Sequence, residues 1–128
     1  MTIHKSPPPV PKRYRLPDER ESITADLSIE GKPICVSVGL YEDGSPGEIF
    51  ARMGTSGSAI GSLLDAWCVM LSIGLQCGMP LEIAVDKFKN WRFEPAGITG
   101  NEEIPLCHSP IDLVCKWLEL RFLNRKDE

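Results

Sequence analysis

The chain has 128 residues, of which 42% are hydrophobic and 25% are charged, and its formal net charge is −4. This length fits one domain with a hydrophobic core of its own. The acidic balance argues against non-specific nucleic-acid binding, and no uninterrupted apolar run reaches the roughly 18–20 residues of a membrane span. The N-terminus lacks a signal-type apolar segment, so we expect a cytoplasmic protein without a membrane partner.

Residues 1–20 predict a proline-rich, basic N-terminal arm. The run Pro7-Pro8-Pro9-Val10-Pro11 disfavours both helix and sheet. Three arginines follow it, Arg13, Arg15 and Arg20. An extended proline-rich linker is the favoured interpretation, and an SH3-type ligand at Pro8-Pro9-Val10-Pro11-Lys12 is the alternative. Contact of the arm with the domain or with a phosphate stays open, and the three arginines are candidate binding residues.

Between residues 23 and 53 apolar and polar residues alternate, which is the pattern of half-buried strands. Breaks at Gly31-Lys32-Pro33 and at Asp43-Gly44 divide this region into three short strands, because these residues favour turns. The pattern predicts an antiparallel meander with one apolar face.

Three helical segments follow and complete an α+β domain over residues 21–123, in which about three helices cover a small antiparallel sheet of about three strands. Ser58 is a plausible N-cap for the first helix, Pro80 opens the second, and Ser109-Pro110 opens the third. The predicted buried stripe of the first helix consists of Ile60, Leu63, Leu64, Trp67, Met70, Leu71 and Leu75. Residues 91–105, which are rich in Gly and Pro, predict an irregular connection, and residues 124–128 predict a charged tail.

Two groups of residues are candidates for a binding site. The loop before the first helix offers Ser56, Gly57 and Ser58 to an anion, because the free amides at a helix N-terminus favour phosphate. A simple strand-to-helix connection is the alternative, since no phosphate-binding glycine motif is present. The second group consists of four charged residues, Glu48, Arg52, Arg92 and Glu94. They form an ion-pair cluster if the third strand meets the loop after the second helix.

Catalytic and metal chemistry find little support in the sequence. Nucleophilic catalysis needs a base beside a thiol, and adjacent residues such as Cys107 and His108 point apart in an extended chain. The five cysteines include no Cys-x-x-Cys pair, so we expect no metal site and no catalytic residue.

Several motifs nevertheless recur in an order that resembles a known family, the TSCPD domain near the C-terminus of adenosylcobalamin-dependent (class II) ribonucleotide reductases. The likeness covers roughly residues 13–118. The motifs are Arg13-x-Arg15-Leu16-Pro17-x-x-Arg20-x-Ser22-x-Thr24, Gly39-x-Tyr41-x-Asp43-Gly44-x-Pro46-Gly47-Glu48-Ile49-Phe50, Gly57-Ser58, Gln76-x-Gly78-x-Pro80-Leu81, and Lys87-Phe88-x-x-x-Arg92-Phe93-Glu94-Pro95-x-Gly97.

The resemblance implies a link to deoxyribonucleotide synthesis rather than a catalytic activity of this chain. The family's chemistry belongs to a ten-stranded barrel that 128 residues cannot contain, and the Thr-Ser-Cys-Pro-Asp string is absent. Adenosylcobalamin would therefore belong to the related reductase and not to this chain.

Three functional hypotheses follow from the resemblance. The first is a TSCPD module that acts as an accessory or interaction domain and binds a class II reductase catalytic subunit or a second copy of itself. The second is a subunit of a split vitamin B12-dependent ribonucleoside-diphosphate reductase. The third is a small nucleotide-binding regulator that uses the basic arm and the loop of residues 54–58.

Overall fold

The fold was analysed in a computed structural model that describes residues 5–9, 11–54 and 57–125. Five strands and three helices occur in these ranges, and the α+β class predicted from the sequence is confirmed. In chain order the elements are β1 (Ser22–Ile29), β2 (Lys32–Leu40), β3 (Pro46–Met53), α1 (Ala59–Gln76), α2 (Leu81–Phe88), β4 (Gly97–Asn101), β5 (Ile104–Cys107) and α3 (Pro110–Phe122).

The first three strands form the predicted antiparallel meander in the order β1-β2-β3. Glu30 and Gly31 make the first turn, with φ of 50° and 78°, so β2 already begins at Lys32 and not after Pro33 as the sequence suggested. The side chain of Asp43 accepts the backbone N–H of Ser45 at 2.9 Å in the second turn. Every second residue is turned toward the core, which gives the sheet one apolar face.

Helix α1 packs along β3, an edge strand of this sheet. The hydroxyl of Ser72 accepts the backbone N–H of Ile49 at 2.8 Å and also lies 3.1 Å from the carbonyl oxygen of Ile49. A buried side chain thus satisfies backbone groups that an edge strand would otherwise leave unpaired. The buried residues of α1 are Leu64, Cys68, Leu71, Ser72 and Gln76.

The predicted buried stripe of α1 was wrong at two positions. Leu63 and Met70 are 69% and 68% exposed, while Ser72 and Gln76 are buried. The error arises because α1 is apolar on almost every side, so hydrophobic spacing alone cannot tell which side meets the sheet.

The connection predicted to be irregular contains a second sheet. Strands β4 and β5 pair antiparallel, with Ile98 opposite Leu106. The hairpin is joined to the end of β1 by the backbone N–H of Glu30, which donates to Ile98 at 2.8 Å, and by the hydroxyl of Ser28, which donates to the carbonyl of Thr99 at 2.9 Å. These contacts with β1, far away in sequence, stabilise a glycine-rich segment whose own composition favours a loop.

Helix α3 carries charged residues into the core. Asp112, which is fully buried, lies 3.0 Å from the ammonium group of Lys116 and accepts the backbone N–H groups of Asn90 and His108, both at 2.6 Å. Glu119, 2% exposed, accepts from Lys89 at 3.1 Å. Such buried charges are tolerated because each is paired and hydrogen-bonded.

One helix in the described part of the chain, α1, is long and apolar enough to cross a membrane by length and composition, and 33% of it is buried in the fold. The sequence-based expectation considered only uninterrupted apolar runs, which Ser62, Asp65 and Ser72 break. Core helices of soluble proteins meet the same criterion, and the packing of α1 on β3 accounts for one side of it.

Candidate functional site

The second part of the N-terminal arm, from Arg13 to Arg20, lies on the domain and contacts residues of the family-like motifs there. Its arginines do not all behave alike. Arg20 donates from Nε to Glu48 Oε1 at 2.9 Å and from Nη2 to Glu48 Oε2 at 3.1 Å, which makes a two-pronged ion pair between the arm and β3. A further Arg20 nitrogen, Nη1, donates to the carbonyl of Pro17 at 3.0 Å. The guanidinium group therefore fixes the bend of the arm as well as its position on the sheet.

Gln76, the last residue of α1, holds the other end of the arm. Its side-chain oxygen accepts Nε of Arg13 at 2.8 Å, and its side-chain nitrogen donates to the carbonyl of Gly47 at 2.9 Å. Its backbone carbonyl accepts the N–H of Tyr14 at 2.9 Å. One buried amide thus links the arm, β3 and the end of α1, and sequence reasoning recognised it only as part of a motif.

Two glycines leave room for the side chains that hold the arm. A Cβ on Gly47 would lie 2.6 Å from Cε2 of Tyr41 and 2.8 Å from Cδ1 of Leu16 in the arm. A Cβ on Gly39 would lie 2.7 Å from Cγ of Glu48. Both positions need a residue without a side chain because a neighbouring side chain occupies that space.

Tyr41 completes this contact by donating its hydroxyl to the carbonyl of Tyr14 at 2.5 Å. Burial raises the pKa of Tyr41 above its ordinary value, and the charge of Arg13 opposes that rise. The hydroxyl therefore stays protonated and available as a donor.

We call this group of residues the arm clasp. Its members come from four separate stretches of the chain and are joined by hydrogen bonds, an ion pair and close packing. They are Arg13, Tyr14, Leu16, Arg20, Gly39, Tyr41, Gly47, Glu48 and Gln76.

The remaining candidate residues lie outside the arm clasp. Arg15 is exposed on the arm. Arg52 is exposed on β3, in register with Cys35 of β2, and borders a hollow of about 340 Å³ that also includes Gly57 and Asp65 of α1. No ion pair among the described residues involves Arg52.

The loop before α1 behaves as a helix start. Ser58 accepts the backbone N–H of Gly61 at 3.1 Å and so caps α1, as the sequence predicted. Gly57 has φ of 86°, a conformation that favours glycine. Ser56, the third candidate of this loop, lies outside the described residues.

The hypothesised cluster of four charges does not form. Glu48 pairs with Arg20, whereas Arg92 and Glu94 are exposed in the loop after α2 and take part in no ion pair within residues 5–9, 11–54 and 57–125. That loop is bound instead near α3, because the backbone N–H of Phe93 donates to the carbonyl of His108 at 3.1 Å.

Three of the five thiols, those of Cys68, Cys107 and Cys115, are buried. Burial raises the pKa of Cys68 to about 12 and also raises the pKa values of Cys107 and Cys115, so the reactive thiolate is disfavoured at all three. In the part of the chain that the structure describes, no group of three or more His, Cys, Asp or Glu side chains is arranged to hold a metal.

Comparison of the sequence with known proteins identifies its family. The TSCPD domain model matches residues 10–122. A vitamin B12-dependent ribonucleotide reductase of Rhodopirellula baltica is 45% identical over 117 residues, which cover 91% of this chain and 11% of that protein. Proteins of the same name from Streptantibioticus cattleyicolor and Streptomyces coelicolor are 39% identical over 113 residues, 88% of this chain and 19% and 12% of those proteins. No solved structure matches the chain.

The chain therefore spans only 11–19% of the length of these relatives, although nearly all of it is matched. The arm clasp lies within the matched residues 10–122. Because the family model matches nearly the whole chain, the chain belongs to the TSCPD domain family.

Proposed function

We propose that the chain is an accessory or interaction module of deoxyribonucleotide synthesis that binds the catalytic polypeptide of a vitamin B12-dependent ribonucleotide reductase in the cytoplasm. The observation that carries this proposal is the arm clasp. The residues most typical of the family likeness hold the arm on the sheet, and none of them forms a nucleophile–base pair. Because these family-typical residues hold the arm rigidly on the sheet, they support the role of a domain that presents a fixed surface to a larger partner.

The size relation to the relatives supports the same proposal. A match over 88–91% of this chain and 11–19% of each relative places the equivalent of this module within a much longer polypeptide. We assign adenosylcobalamin to that polypeptide, because the vitamin B12 dependence in the relatives' names belongs to whole proteins, of which this chain matches only 11–19%.

The proposal is tested with a vitamin B12-dependent reductase from which the matching region has been deleted. The purified chain is added in increasing amounts, and co-elution and ribonucleotide reduction are measured. We expect saturable co-elution. Restored reduction would assign the chain to the split-reductase hypothesis, and binding without restored reduction would assign it to the accessory hypothesis. Absence of both co-elution and a change in rate contradicts the proposal.

Nucleotide binding remains a second candidate, favoured by one observation. Arg52 and Arg15 are exposed, whereas Arg13 and Arg20 are held in the arm clasp. Calorimetric titration with deoxynucleoside triphosphates should give saturable heat that Arg52→Gln abolishes and Arg121→Gln, at another exposed arginine, leaves unchanged. Flat titrations of the unmodified chain remove this candidate.

A further inference from the structure

Helix α1 has a second apolar side that faces solvent. Among its 18 residues only Asp65 is charged, and the side opposite the sheet exposes Leu63, Val69 and Met70 by 69%, 45% and 68%. A helix that is apolar all round is normally covered on all sides. The fold covers one side of α1 and leaves the other without a partner among the described residues.

The exposed side of α1 has the relief of a helix-packing surface. At 3.6 residues per turn, Ser62, Ala66 and Met70 follow one another along a single i, i+4 row. The first two are small and the third is large, so the row is a shallow groove in its first half and a ridge in its second. Leu63 and Val69 stand on either side of the groove. Asp65 is one helical position, about 100°, from Ala66 and lies at the edge of this side.

Aromatic rings extend this surface beyond α1. Trp67, one turn from both Leu63 and Met70, packs edge-on against Phe88 of α2 with ring centroids 5.6 Å apart. Phe88 in turn contacts Trp91 at 5.4 Å, and Trp91 is 47% exposed. Met and aromatic residues are enriched at protein interfaces, and a standard interface buries about 800 Å² on each partner. A helix of 18 residues, about 27 Å long, together with this aromatic flank has the extent that such an interface needs.

We propose that two copies of this chain associate through α1, with the two helices antiparallel and a twofold axis near residue 67. In this arrangement Met70 of each copy enters the groove between Ser62 and Ala66 of the other. The surface is thus complementary to itself, as a twofold interface requires. The centre of the groove and the ridge are each three positions from residue 67, so one axis there places both contacts at once.

The composition of α1 favours a second copy over a lipid surface. Helices that lie on membranes present Lys and Arg on their polar side, whereas α1 contains no basic residue and the chain carries a net charge of −4. The proposal does not depend on the reductase link, because self-association uses only this chain.

The test measures the mass of the chain by sedimentation equilibrium at concentrations from about 1 to about 200 μM, which detect a dissociation constant in the micromolar range. We expect a monomer–dimer equilibrium whose dissociation constant rises about 30-fold or more in Met70→Lys, since the charge would be buried at the centre of the interface. Ile98→Lys, at a residue 60% exposed on β4, is the matched control and should leave the equilibrium unchanged.

A second variant locates the axis. Helices packed about 8–10 Å apart bring facing Cα atoms to roughly 4–6 Å, within disulfide range. Ala66→Cys should therefore form a covalent dimer on oxidation with diamide, while the unmodified chain and Ile98→Cys should not. A chain that is monomeric at every concentration, a dimer that Met70→Lys leaves intact, or a monomer that binds phosphatidylglycerol vesicles or the reductase through this side of α1 overturns the proposal.

Discussion

The arm clasp makes a sharp prediction for Gly47. This glycine is buried under the ring of Tyr41 and the side chain of Leu16, and a methyl group added there would lie 2.6 Å and 2.8 Å from their nearest atoms. Both distances are shorter than real Cβ atoms tolerate. Gly47→Ala therefore has to move the tyrosine ring, the arm, or both.

Overpacking of this kind costs about 1–3 kcal/mol of the free energy of unfolding. With a urea m-value of about 2 kcal/mol/M, a loss of about 2 kcal/mol moves the unfolding midpoint down by about 1 M. Because the arm is one of the groups displaced, trypsin should also cleave the variant faster after Arg13 and Arg15 under native conditions. Urea unfolding followed by fluorescence and timed proteolysis followed by mass spectrometry measure the two effects.

Gly74→Ala is the control for this experiment. Its methyl group would meet only the flexible end of Met79, at 3.0 Å, and alanine is favoured over glycine inside a helix by about 1 kcal/mol. We expect unchanged or higher stability and unchanged cleavage. If Gly47→Ala unfolds at the same urea concentration as the unmodified chain and its arm is cleaved no faster, the close packing of the arm clasp is refuted.

Three further predictions concern the core and α1. Ser58→Ala removes the N-cap of α1 and should cost about 1 kcal/mol, measured by thermal unfolding; no change would deny the cap a role. Lys116→Met removes the cation beside the buried carboxylate of Asp112 and should lower the free energy of unfolding, measured in urea, by about 3 kcal/mol. Lys87→Met, at an exposed lysine, should change the free energy of unfolding by no more than about 0.5 kcal/mol. Equal effects of the two substitutions would contradict the importance of the buried pair. Burial raises the pKa of Cys68 from 9.0 to about 12, so above pH 9 the folded chain keeps a proton that the unfolded chain loses. The free energy of unfolding should therefore fall as the pH rises above 9, and Cys68→Ala should make this fall less steep. If the unmodified chain and the variant lose stability equally with pH, the assignment to Cys68 is contradicted.

The sequence predicted the meander because its strands bury only one side. Alternation between Ile23 and Met53 matches the pleat, and the turns at Gly31 and Gly44 use glycines whose φ is positive. Local chemistry was sufficient there, and the order β1-β2-β3 followed from it.

The second sheet and the exposed side of α1 could not be predicted in the same way. Strands β4 and β5 are five and four residues long, contain Gly97, Gly100 and Pro105, and depend on contacts with Ser28 and Glu30. Only the folded chain supplies those contacts. For α1 the difficulty is the opposite, because a helix apolar on all sides has no stripe to distinguish.

The candidate site was predicted in its residues but not in its connections. Arg13, Arg20 and Glu48 were selected as charged groups for a ligand, and the structure pairs them within the chain. Gln76 was missed as their link because an amide at the end of an apolar helix gives no signal in composition. Its place in the motif Gln76-x-Gly78 was the only indication.

The central claim, that this module binds the catalytic polypeptide of a vitamin B12-dependent reductase, is tested most directly by calorimetric titration of the chain into such a reductase lacking the matching region. We predict saturable heat with one module per reductase chain and a dissociation constant in the micromolar range or below, weakened by Gly47→Ala and unchanged by Gly74→Ala. A flat titration with a reductase shown to be folded would contradict the account.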